Sequence, residues 1–101
     1  MLAPIITNNL SLIKALCKTH YVKELYVFGS ASRNEMKEDS DVDFSYLMGD
    51  VPIDYADNLF DMMWTLETML NRKVELVAEK YLKNRIFIEE LNSTKQLVYK
   101  A

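Results

Sequence analysis

Two apolar runs, Leu25-Tyr26-Val27-Phe28 and Phe44-Ser45-Tyr46-Leu47, bracket the fifteen residues from Gly29 to Asp43. That arrangement constrains the fold more than any other part of the chain. A glycine-serine turn closes one strand, and the next strand opens with two carboxylates at i and i+2. Alternation along a strand sends Asp41 and Asp43 to the same face, with Cα atoms ~7 Å apart. Like charges held side by side repel, which makes little sense as packing. A divalent cation turns the repulsion into a ligand set, because Mg²⁺ takes carboxylate oxygens together with substrate phosphates. The stretch reads as a phosphate-gripping turn placed opposite a metal site.

Gly-Ser-x-x-Arg, followed seven residues after the arginine by Ser-Asp-x-Asp, resembles the signature of the minimal nucleotidyltransferases (MNT) of the DNA polymerase β superfamily. The matching residues are Gly29, Ser30, Arg33, Ser40, Asp41 and Asp43. Many members of that family have glycine after the arginine. Here it is Asn34, a residue that tolerates positive φ better than most. The family expects a third carboxylate on a later strand, and Glu75 within Lys73-Val74-Glu75-Leu76-Val77 is the candidate. The resemblance extends over the flanking helices and so nearly the whole chain.

The 101 residues suggest a single domain, 1–101, with enough apolar side chains for a modest core. One cysteine excludes an internal disulfide framework, and Cys17 reads as a small core residue. No apolar run approaches membrane-spanning length and no leader pattern opens the chain, so a cytoplasmic location is expected. A net charge of −3 speaks against stable non-specific nucleic-acid binding. Periodicity predicts helices over 5–19, 54–72 and 79–91 and strands over 24–28, 42–47, 73–78 and 96–100. This is an α/β (α+β) pattern. The resemblance makes it a small mixed sheet with helices packed on one face, the polymerase-β-like nucleotidyltransferase fold. The expected core stripe of the 54–72 helix is Tyr55, Leu59, Met62, Met63, Leu66, Met69 and Leu70. His20 reads as a helix C-terminal charge, and Asp54, Asp57 and Asp61 as a solvated stripe. Arg72, Lys73, Lys80, Lys83 and Arg85 read as scattered surface charge.

The resemblance implies a site in which Asp41, Asp43 and Glu75 hold two Mg²⁺ ions ~4 Å apart. Gly29, Ser30, Arg33 and Ser40 would serve nucleotide binding, with Arg33 either forking onto the phosphates or bracing the loop. The reaction implied is transfer of a nucleoside monophosphate, AMP from ATP, onto a partner. Minimal members pair with small helical HEPN-domain ribonucleases as antitoxin and toxin, which supplies the expected acceptor. The alternative is a catalytically idle transferase-fold module that silences its partner by covering it. Phe60 and Trp64 stand i, i+4 apart, opposite the expected core stripe, and form a candidate contact patch.

Overall fold

The computed structural model describes residues 2–101. Strand β1 (Val22–Phe28) pairs antiparallel with β2 (Val42–Met48), and the Gly29–Asp41 segment is their connection. A parallel partner for β2 requires a crossover. Helix α3 (Tyr55–Leu70) provides it, delivering β3 (Val74–Ala78) alongside β2. Strand β4 (Gln96–Lys100) lies antiparallel on the other side of β1, giving the order β3-β2-β1-β4. The result is a mixed four-stranded sheet, as the sequence pattern and the family resemblance lead one to expect.

Alternation sorts the two faces. Val42, Phe44 and Tyr46 of β2, with Leu25 and Val27 of β1, are buried on one face. They pack in one core with Ile13 and Leu16 of α2 (Leu10–Thr19) and Met62 and Leu66 of α3. Cys17 is buried there too, and burial pushes its thiol up to about 12. No helix among the described residues is long and apolar enough to cross a membrane.

The helix expected over 5–19 is two helices, α1 (Pro4–Thr7) and α2. Asn9 interrupts them, because its side-chain amide donates to the Ile5 carbonyl at 2.8 Å and competes with the backbone ladder. Helix α3 begins where the sequence predicts: Asp54 accepts from the Asp57 backbone N–H at 3.0 Å. It ends at Asn71, whose φ of 52° forms a left-handed cap. Its fully buried stripe is Asn58, Met62, Leu66 and Leu70, whereas Tyr55 is exposed. Asn58 is tolerated inside because its amide donates to the His20 carbonyl at 2.8 Å. Asp61 is not merely solvated: its carboxylate lies 2.6 Å from His20 Nε2. These two contacts tie the end of α2 to α3.

The region expected to be helical from Glu79 is a single 3₁₀ turn, Glu79–Tyr81, before α4 (Arg85–Thr94). Asn84 sets the later start by accepting from the Phe87 N–H at 2.9 Å. Asn92 and Ser93 are therefore its last turn and not a loop. Helix α4 stands apart from α2 and α3. Its Phe87 meets Phe28 edge-on at 6.0 Å, on the sheet face that carries Asp43.

Asn58→Ala should lower stability by about 1–3 kcal/mol, since the His20 carbonyl loses its partner in a dry setting. Urea unfolding should show a lower midpoint with an unchanged slope; an unchanged midpoint would assign the α2–α3 tie to packing alone.

Candidate active site

Register assembles the site. Phe28 lies opposite Asp43 across the β1–β2 pair, so Gly29 emerges directly beside that carboxylate. Gly29 has φ of +70°, and a Cβ built on it would fall 2.9 Å from Asp43 Oδ2. The left-handed conformation calls for glycine, and a Cβ would in addition displace the Asp43 carboxylate. On the other side of β2, Asp43 is in register with Glu75 of the parallel β3. Gly29, Asp43 and Glu75 therefore line up across three strands, and Asp41 lies just ahead of β2, exposed to solvent.

Asp43 is half-buried, and its carboxyl is held up to about 6. Burial contributes most, followed by the negative charges of Glu75 and Asp41 and a hydrogen bond with Glu75. A divalent cation bound beside Asp43 would relieve that repulsion. Among the described residues, no three His, Cys, Asp or Glu side chains converge closely enough to enclose an ion by themselves. Mg²⁺ needs only one or two carboxylates when phosphate oxygens and waters complete its shell, so Asp43 with one of its neighbours, Asp41 or Glu75, is a donor set that could hold it once phosphate is bound.

The turn after β1 is built tightly. Gly29–Ser32 is a 3₁₀ turn whose Ser32 hydroxyl, fully buried, donates to the Gly29 carbonyl at 2.7 Å. Ala3 N–H donates to the Ala31 carbonyl at 2.8 Å, so the start of the chain also braces it. The Ser30 carbonyl accepts from the Glu35 N–H at 2.9 Å. Asn34 has φ of 56°, the left-handed conformation for which asparagine is suited.

Arg33 lies at the end of this turn, half-exposed, with Nε 3.2 Å from Glu35. Ser40 serves the loop: its hydroxyl accepts from the Lys37 N–H at 2.8 Å. Arg72 was not expected to matter. Its guanidinium donates to the carbonyls of Lys37 and Ser40 at 2.9 and 3.0 Å, pinning the loop just before Asp41. The only signal for it in the sequence was its position next to the third strand.

Ser45, on the same face as Asp43, is not open to solvent. Its hydroxyl donates to Glu79 at 3.0 Å, and Glu79 pairs with Lys95 at 2.9 Å. This network occupies the same face of the sheet next to Asp43. There a cleft of ≈ 210 Å³ lies between Phe28, Gly29, Arg33 and Asp43 on one wall and α4 on the other. A second cleft, ≈ 230 Å³, sits at the far end of β2 against Tyr46, Tyr55 and Tyr81. It contains none of the residues of the motif, so the chemistry belongs to the first.

In metal-free buffer the raised carboxyl of Asp43 has a defined consequence. Its folded value, about 6, lies above the ordinary 3.8, so its contribution to stability is fully present below about 3.8 and is lost as pH rises through about 6. Asp43→Asn should remove that loss. Thermal melts of both proteins between pH 4 and 7 should therefore diverge in favour of the variant as pH rises. Parallel profiles would mean that the carboxyl titrates normally.

The family model for "Polymerase beta, Nucleotidyltransferase" matches residues 11–101. A candidate protein adenylyltransferase of Methanocaldococcus jannaschii is 38% identical over 66 residues, covering 65% of this chain and 74% of that protein. A solved structure of a candidate minimal nucleotidyltransferase superposes with a TM-score of 0.78 at 25% identity, covering 95% of each chain. The tri-AMPylated HEPN toxin of Shewanella oneidensis in complex with its MNT antitoxin gives a TM-score of 0.66 at 18% identity. That match covers 94% of this chain and 72% of the other, and at this identity it speaks to the fold. A family match over this span, with the glycine-serine turn set against Asp43 at one end of the sheet, places the chain in the polymerase β nucleotidyltransferase family.

Proposed function

We propose that this protein transfers AMP from ATP, with Mg²⁺, onto a hydroxyl of a small helical HEPN-domain toxin, acting as the antitoxin in the cytoplasm through a single minimal domain over residues 1–101. The observation that carries the reading is Gly29, bare of a side chain, held against Asp43 with Glu75 in register beyond it. A turn of this kind presents backbone N–H groups to phosphate oxygens. Ser30 adds a hydroxyl, and the half-exposed guanidinium of Arg33 can exchange Glu35 for phosphate.

Asp41, Asp43 and Glu75 would hold the metal, which supplies neutralisation of phosphate charge and activation of the attacking oxygen. The chain's own residues orient the triphosphate and keep the acidic cluster at its α-phosphate. The acceptor hydroxyl gives its proton to one of these carboxylates as its oxygen bonds to the α-phosphorus. The bond from that phosphorus to the β-phosphate bridging oxygen breaks, and pyrophosphate departs. Ser45, Glu79 and Lys95 form a hydrogen-bonded cluster on the neighbouring part of the same face.

The adenylyltransferase name of the relative and the AMPylated toxin of the structural neighbour support AMP as the group and a HEPN protein as the acceptor. Helix α3 supports the docking side. Phe60 and Trp64 are 63% and 66% exposed on a helix that carries Asp57, Asp61 and Glu67 and no basic residue. An apolar patch with an acidic rim suits a partner surface with an apolar groove and basic edges.

Asp41→Ala and Asp43→Ala should each lower transfer by about 100-fold or more while the protein stays folded. Glu75→Gln should be severely impaired as well. Mass spectrometry of the partner after incubation with ATP and Mg²⁺ reads all three. Unmodified partner with the wild-type protein, yet still silenced, would favour a covering module without catalysis. Trp64→Ala should weaken association by about 2 kcal/mol, measured by calorimetry, with no change in ATP binding. Unchanged association would remove α3 from the interface.

A further inference from the structure

We propose that Phe87 of α4 forms the shelf on which the nucleobase of the bound nucleotide stacks. The inference rests on the nucleotidyltransferase reading and adds the part of the site that holds the base. Residues of the glycine-serine motif account for one wall of the ≈ 210 Å³ cleft; the other wall is Phe87, Glu90, Leu91 and Thr94. The volume is below the ~300–1,000 Å³ usual for a whole small ligand. The cleft therefore takes one part of a nucleotide while the rest lies along the open Gly29–Asp43 edge.

Chemistry decides which part. Phosphates go to the Gly29 turn and Arg33, where donors and positive charge are found. The α4 wall offers an aromatic ring, an aliphatic side chain, a hydroxyl and the Glu90 carboxylate, which would repel a polyanion. A flat, uncharged heterocycle fits that wall. Phe87 is only partly buried, and its ring lies perpendicular to that of Phe28 at 84° with centroids 6.0 Å apart, so the pair holds the ring without enclosing it. Asn84 caps the helix through the Phe87 N–H, which fixes the backbone at that residue. Stacking on a held aromatic ring tolerates any base, because every base has a π-face.

The test compares two ligands on the full chain by calorimetry: ATP with Mg²⁺, and inorganic tripolyphosphate with Mg²⁺. Phe87→Ala should raise the Kd for ATP by about tenfold or more and leave tripolyphosphate within about twofold. Phe87→Leu, which retains packing on Phe28 but lacks a π-face, should show the same selective loss. Phe87→Trp should retain ATP binding. Equal weakening of both ligands in the alanine and leucine variants would show a merely structural role and overturn the proposal. Intact ATP binding with slower transfer would assign the cleft to the acceptor and overturn it too. Wild-type protein that binds neither ligand would instead sink the nucleotidyltransferase reading itself, and this inference with it.

Discussion

The contact between Gly29 and the Asp43 carboxylate is the constraint around which the rest of the chain is arranged. The left-handed φ of Gly29 would strain any side chain there, and a Cβ would lie 2.9 Å from Asp43 Oδ2 and push the carboxylate aside. The antiparallel register of Phe28 with Asp43 brings them together, and the parallel register with Glu75 adds a second charge from the far side. A half-buried carboxylate beside two others is a poor choice for stability. Its raised protonation equilibrium records that cost, which a cation with phosphate would remove.

Much of the structure around that contact serves to hold it. Ser32 closes the turn, the Ala3–Ala31 hydrogen bond supports it from the start of the chain, and Arg72 grips the loop before Asp41. On the covered face, α2 and α3 bury the alternate residues of β2, which fixes the opposite face as the one that carries Asp43. The site is thus positioned by hydrogen bonds at the loop and by packing beneath the strand. The ligands themselves remain accessible at one end of the sheet.

Helix α3 presents two distinct sides. Its Met62–Leu66–Leu70 side belongs to the core, and its Phe60–Trp64 side faces solvent among acidic residues. Separation of the two sides by the 3.6-residue period allows a partner to engage the domain without disturbing the sheet. Helix α4 does the converse: it approaches the catalytic face, and its Phe87 closes the cleft beside Asp43.

The sequence by itself determined the residues of the motif, the strand face that carries Asp43, the cap at Asp54 and the placement of Phe60 and Trp64 opposite the core side of α3. Each follows from a local rule: residue type in a turn, a period of two or a period of 3.6. Tertiary structure alone decided the rest. Asn58 replaced Tyr55 in the buried stripe because the His20 carbonyl was there to receive its amide. Asp61 found His20, Arg72 found the loop carbonyls, and Ser45 disappeared beneath Glu79. The later start of α4, at Asn84 instead of Glu79, brought Phe87 to the site. These contacts join residues far apart in the chain. Periodicity does not encode which distant donor and acceptor will meet; that depends on strand register and on how the helices dock.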